Sequence, residues 1–145
     1  MSAAERPCTF CQIVGGELPA RVVLDDDEVL AFLDVRPVFK GHVLVVPRRH
    51  VVTLPDLDDG ELGPYFERVK RVAAALPDAL DAHGTFVAMN NVVSQSVAHL
   101  HCHVVPRRFK DGLRGFFWPR GRYADDAEAD RYANLVREEI TRRSA

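Results

Sequence analysis

The sequence is short of cysteine, of net charge and of long apolar runs, and each shortage excludes a class of protein. Three cysteines among 145 residues is an odd number and too few for a disulfide framework. With no apolar leader, they point to a reducing, cytoplasmic setting. Nineteen lysines and arginines stand against 21 aspartates and glutamates, a net charge of −2. Such a balance gives neither a nucleic-acid footprint nor a polyanionic tail, so any bound anion must be held by a local site. No run approaches the ~18 apolar residues of a membrane span, and no repeat or low-complexity tract is present. A single domain is expected, at a length where roughly 68–70% of the unfolded surface can be buried.

What is present is His99-Leu100-His101-Cys102-His103-Val104-Val105-Pro106, with histidine at every second position and an apolar residue between. On an extended strand this spacing aligns three imidazoles on one face and puts Leu100, Cys102 and Val104 on the other. On a helix the three rings would never converge.

The remaining segments supply strands, a covering helix and candidate partners. Arg21 to Leu24 and Val29 to Leu33 read as a hairpin around the acidic turn Asp25 to Glu28. Asp34 follows where the second strand ends before Pro37. Gly41-His42 opens a strand running to Pro47 that is apolar enough to be covered on both faces, and Arg48, Arg49 and His50 leave it as a basic exit whose arginines read as a solvated face. Leu62, Tyr65, Phe66, Val69, Val72, Ala73 and Leu76 recur at helical spacing, with Asp58 and Glu61 spaced as a capping box and Pro77 as a stop or kink. His83 lies in a loop and receives no role. Thr85 to Met89 is a further strand, and a short polar connection then brings Asn90, Gln95 and Ser96 to the start of the imidazole row. Asp126 to Arg143 reads as an amphipathic C-terminal helix. Cys8-Thr9-Phe10-Cys11 near the start reads equally as half of a zinc site or as two buried thiols, and less readily as a redox pair.

Three aligned imidazoles suit either an open three-nitrogen metal site or nucleophilic attack on phosphorus by one neutral ring, its neighbours orienting it. A hydrolytic metal site wants a carboxylate or general base close by, which the flanking sequence does not offer. It offers Asn90, Gln95 and Ser96, donors that suit a phosphate.

The segment His99 to Val105 resembles the signature of the histidine-triad superfamily of nucleotidyl hydrolases and transferases. The resemblance continues in Gln95-Ser96-Val97, Asn90, Gly41-His42 with Pro47, and Phe32-Leu33-Asp34 with Pro37. Cys8 to Cys11 with Gly15-Gly16-Glu17-Leu18-Pro19 is similar to the opening of many bacterial members. It covers about residues 8–120, and it implies an α+β fold with about five antiparallel strands and two main helices, paired as a homodimer through continued sheets. It further implies attack by His101 on the α-phosphorus of a purine nucleotide, in a phosphoramidate or a dinucleoside polyphosphate. His103 would hold a phosphoryl oxygen, His42 would support the row, Asn90, Gln95 and Ser96 would bind phosphate and leaving group, and Asp34 the ribose hydroxyls. Cys8, Cys11, His50 and His99 would hold a structural zinc, with no metal required for catalysis. Two other readings share these residues: a nucleotide-binding regulatory protein, and a metal-dependent hydrolase using the histidine row. Ser94 stands where the superfamily often has glycine before the glutamine, and Val92 and Val93 replace smaller or polar residues. Cys102 reads as core, and Phe116 to Trp118 fall where the superfamily brings residues toward substrate or partner.

Overall fold

The structure is a computed structural model that describes residues 7–113 and 121–144. The Phe116 to Trp118 segment and Met1 to Arg6 lie outside the described residues. The chain forms two compact units, residues 1–111 and 112–145.

The first unit is a five-stranded antiparallel sheet: β1 (Val22–Asp25), β2 (Val29–Leu33), β3 (Val43–Pro47), β4 (Gly84–Ala88) and β5 (Cys102–Arg107), in spatial order β1-β2-β3-β5-β4. A short helix α1 (Thr9–Val14) precedes the sheet and a long helix α2 (Asp59–Leu80) separates β3 from β4. The β1–β2 turn forms because Asp26 Oδ1 accepts the backbone N–H groups of Glu28 and Val29, each at 3.0 Å.

Strand alternation sorts the sheet into two faces. Val29, Ala31, Val43, Val45, Cys102 and Val104 pack with Tyr65, Val69, Val72 and Leu76 of α2. The Tyr65 hydroxyl donates to the Val45 carbonyl at 2.8 Å, so this buried polar atom is satisfied. The other face carries Leu30, Phe32, Leu44 and Val46 against Phe10 of α1. Leu44 pairs with His103 across β3 and β5, which places His103 on this second face, away from α2.

Several expectations are corrected. The strand of histidines is shorter than its spacing predicts: β5 starts at Cys102, and Leu100 instead donates its N–H to Val51 at 2.8 Å. The alternation survives all the same, since Leu100 is buried with Cys102 and Val104. The Asp58–Glu61 capping box does not form, because Glu61 is taken by Arg49 at 2.8 Å; a box closes upstream instead, between Thr53 and Asp56. Pro77 neither stops α2 nor ends its register, and the helix continues to Leu80 with the Ala82 N–H bonded to the Pro77 carbonyl. A proline removes one donor, and the flanking turns carry the helix past it. Arg48 is also paired, donating Nε to the Asp26 carbonyl at 2.6 Å. His83 is more than a loop residue, since its Nδ1 accepts the Phe109 N–H at 3.1 Å.

The second unit contains α3 (Asp126–Ser144). Asp125 starts it by accepting the Glu128 N–H at 2.8 Å, and the Glu128 carboxylate returns to the Ala124 N–H at 3.0 Å. No helix among the described residues is long and apolar enough to cross a membrane.

Candidate functional site: a histidine row beside a closed metal set

Cys8 is the N-cap of α1, its Sγ accepting the Cys11 N–H at 3.4 Å. One helical turn therefore aims both thiols in one direction, toward the exit of β3 and the residue that opens the histidine row. Cys8 Sγ lies 3.4 Å from His99 Nδ1, Cys11 Sγ lies 3.3 Å from His50 Nδ1 and 3.5 Å from His99 Nδ1, and the two imidazole Nδ1 atoms are 3.2 Å apart. A tetrahedral zinc with ordinary Zn–S and Zn–N bonds sets its ligands about 3.3 to 3.8 Å from one another. Four of the six donor pairs stand at 3.2 to 3.5 Å, and all four donor atoms lie within 4.8 Å of one another. His99 Nε2 lies 2.8 Å from the Pro47 carbonyl and must donate to it, which leaves the Nδ1 lone pair facing the thiols. Burial pushes His99 down to about 4, against the pull of that carbonyl, and raises Cys11 to about 11. A cation at the centre would reverse the thiol's shift, since a bound metal draws off the proton. These residues fit a structural zinc.

The same reasoning fixes the other rings. His101, only 2% exposed, has Nδ1 2.8 Å from the His99 carbonyl, so Nδ1 carries the proton and Nε2 the lone pair. Phe10 packs edge-on against the His101 ring at 5.1 Å, a support that nothing in the CxxC spacing announces. His42 Nδ1 accepts the Val38 N–H at 3.1 Å; its proton therefore sits on Nε2, which faces His103 Nδ1 at 2.9 Å. His103 is thereby left with its proton on Nε2. A backbone N–H thus sets two tautomers in series. His42 reaches His103 because Leu44 is His103's cross-strand partner and His42 is its diagonal neighbour on the same face.

Asp34 lies beside this pair, with Oδ2 3.7 Å from His42 Nε2 and Oδ1 accepting the Arg36 N–H at 2.9 Å. Asp34, His42 and His103 come close enough together to suggest a second metal cluster. The hydrogen bonds argue against it, because His42 presents a proton rather than a lone pair to the centre of the group. Burial lowers His42 and takes His103 down to about 4, Asp34 opposing the shift in both. Both rings are neutral at neutral pH.

The folded chain therefore binds these protons less readily than the unfolded chain, whose histidines titrate near 6.5. The resulting stability is fully present above about 6.5 and is lost as the pH falls through about 4. Denaturant midpoints measured across that window should fall with acid, and the fall should shrink in His103→Asn; an unchanged slope in that variant would contradict the placement of His103.

The loop from β4 to the row is held by amides. Asn90 Nδ2 donates to the Ser94 carbonyl at 3.3 Å, and Asn91 Oδ1 accepts the Leu54 N–H at 2.8 Å. Gln95 Nε2 donates to the Val52 carbonyl at 2.5 Å while Oε1 accepts the Val92 N–H at 3.2 Å. Ser96 is exposed at the loop's end. Val92 and Ser94 take φ values of 73° and 61°, the left-handed region where a β-branched side chain is strained. The missing glycines thus surface as strain. Val92→Gly should raise stability by about 1 kcal/mol in urea denaturation, and a loss would show that the valine side chain contributes more than its backbone costs.

A five-stranded antiparallel sheet with a tautomer-locked histidine row on one face and four cysteine and histidine donors at its end that could hold a metal defines a small α+β protein. Residues 15–110 match the HIT domain, and the chain belongs to the HIT family. It is 36% identical over 137 residues to Protein hit of Bacillus subtilis, covering 93% of this chain and 92% of that protein. It is 34% identical over 115 residues to the adenosine 5'-monophosphoramidase hnt1 of Schizosaccharomyces pombe, covering 77% and 83%. Among solved structures, a zinc-bound histidine triad family protein from Mycobacterium smegmatis superposes with a TM-score of 0.70 at 34% identity, covering 97% of this chain and 99% of that one.

Proposed function

We propose that the protein is a nucleotide hydrolase that cleaves at the α-phosphate of a purine nucleotide, in a phosphoramidate or a dinucleoside polyphosphate, through a nucleotidyl-histidine intermediate on His101. The observation that carries this reading is the His101 ring itself: with Nδ1 donating to the His99 carbonyl at 2.8 Å, Nε2 is a neutral, oriented nucleophile that needs no base to remove a proton. Nε2 forms a bond to phosphorus and the bond from phosphorus to the leaving group breaks, the leaving group departing with the bonding pair and a proton from solvent, which the attacking water later restores. Water then displaces His101, returning the lone pair to Nε2 and releasing the nucleoside monophosphate.

His103, with its proton on Nε2, donates to a non-bridging phosphoryl oxygen as charge grows there. His42 holds His103 in that tautomer. Asn90, Gln95 and Ser96 serve the phosphate and leaving group, with Gln95 acting through the loop that its amide ties down. Asp34 accepts the two ribose hydroxyls, which a carboxylate does well. Cys8, Cys11, His50 and His99 hold zinc, which supplies structure and leaves the chemistry to the histidines. The name borne by the fission-yeast relative supports phosphoramidates as the first substrates to try. The partners expected are the AMP-containing substrate and a second copy of the chain in a homodimer, with neither nucleic acid nor membrane, in the cytoplasm. A panel of adenosine and guanosine phosphoramidates and dinucleoside polyphosphates tests the assignment. Release of nucleoside monophosphate that persists in excess chelator is expected, and no turnover of any member would overturn it.

A further inference from the structure

We propose that the C-terminal unit is a self-pairing surface, on which α3 docks antiparallel against α3 of a second copy of this chain. This interface is separate from the sheet-edge pairing that the superfamily resemblance implies, and it does not depend on the proposed reaction.

Tyr132, Leu135, Val136 and Ile140 are each between 50 and 60% exposed. A helix of this length is marginal in water unless its apolar stripe is packed. The Tyr123 ring lies 5.8 Å from that of Tyr132, and with Ala129, Ala133, Val136 and Ile140 it walls a groove of about 560 Å³. The residues in this groove alternate in size. Turned antiparallel about a point between Asn134 and Leu135, Ala129 falls opposite Ile140 and Ala133 opposite Val136. Val136 and Ile140 then each meet an alanine, as interdigitated helices require.

Charge selects the same arrangement. Asp126 and Glu128 lie in the first turn of α3 and Arg142 and Arg143 in the last. The antiparallel register sets Asp126 opposite Arg143 and Arg131 opposite Glu138, while a parallel pair would set each end against its own kind. Glu139 already holds Arg142 and Arg143, each through Nε at 2.9 Å, so the last turn keeps a net positive charge. An anionic membrane is a poor occupant, because Asp126, Glu128, Asp130, Glu138 and Glu139 outnumber the arginines of α3. A self-complementary patch meets its own copy about a two-fold axis, so here it would join sheet-paired dimers to one another.

The test is sedimentation velocity of the full-length chain across a concentration series, with far-ultraviolet circular dichroism as the check on helix content. Beyond the sheet-paired dimer, the wild type should show a concentration-dependent association step that Val136→Glu weakens at least about tenfold, since burying a charge on each side costs well over 1.4 kcal/mol. Asp126→Arg and Arg143→Asp should each weaken the step, and their combination should restore it. A Val136→Glu chain that associates like the wild type would overturn the proposal. So would a wild type with no species beyond the sheet-paired dimer, as when α3 is covered by its own chain or by a different protein. A charge-swapped double variant no better than either single would overturn the antiparallel register.

Discussion

Replacing His101 with asparagine should leave nucleotide binding within a few-fold of wild type and lower turnover by about three orders of magnitude or more. Asparagine suits the test because its amide can keep donating to the His99 carbonyl, which His101 Nδ1 meets at 2.8 Å. What it removes is the Nε2 lone pair. His101 is buried with Phe10 against its ring, so a near-isosteric replacement also limits any repacking. Calorimetric titration with AMP reads binding, and steady-state hydrolysis reads turnover. His103→Asn is the matched comparison: it keeps the nucleophile and weakens a donor, for which a loss of about 10²- to 10³-fold is expected. Hydrolysis by His101→Asn at the wild-type rate would sink the nucleotidyl-histidine mechanism.

The sequence made the residues of the site legible more fully than their arrangement. Alternation alone placed Leu100, Cys102 and Val104 in the core, where they are, because the two-residue period is local. Alternation could not say that β5 begins at Cys102, since the pairing with β3 stops at Val45 and Cys102 although β3 runs on to Pro47. The CxxC spacing left zinc, buried thiols and redox chemistry open. The superfamily resemblance pointed to His50 and His99, and the structure brings both, 39 and 88 residues from Cys11, to the thiols. The division of labour among the imidazoles was legible only through the superfamily resemblance, because it depends on atoms that carry no side-chain identity: the Pro47 carbonyl, the His99 carbonyl and the Val38 N–H. Any residue can present such groups. Glycine scarcity in the loop was visible at Ser94 and Val92, but its meaning needed the backbone angles. The capping box failed for a different reason: the Asp58 and Glu61 spacing was correct, and the competing arginine, Arg49, came from another segment.

Zinc removal should have the second large effect, on stability rather than on the chemical step. Cys8 both caps α1 and supplies a donor, and its partners come from the exit of β3 and the head of the histidine row. A metal there joins three segments that nothing else joins covalently. Protein purified without added metal should contain about one zinc per chain, and Cys8→Ser should lose it, together with about 3 kcal/mol or roughly 10 °C in Tm. A buried cysteine outside the set separates metal loss from general damage: Cys102→Ser places a hydroxyl in the core, where Cys102 is buried, and should destabilise the fold while retaining zinc. Chelation should unfold α1 first, since its anchors are Phe10 and the two thiols, and should bring the amides of residues 9–14 into fast hydrogen exchange before those of β2 and β3. Turnover should persist for as long as the sheet stays folded and the His99 carbonyl orients His101. Undiminished zinc in Cys8→Ser would reject the four-residue set, and zinc lost from Cys102→Ser would show that the core, rather than the donors, governs metal retention.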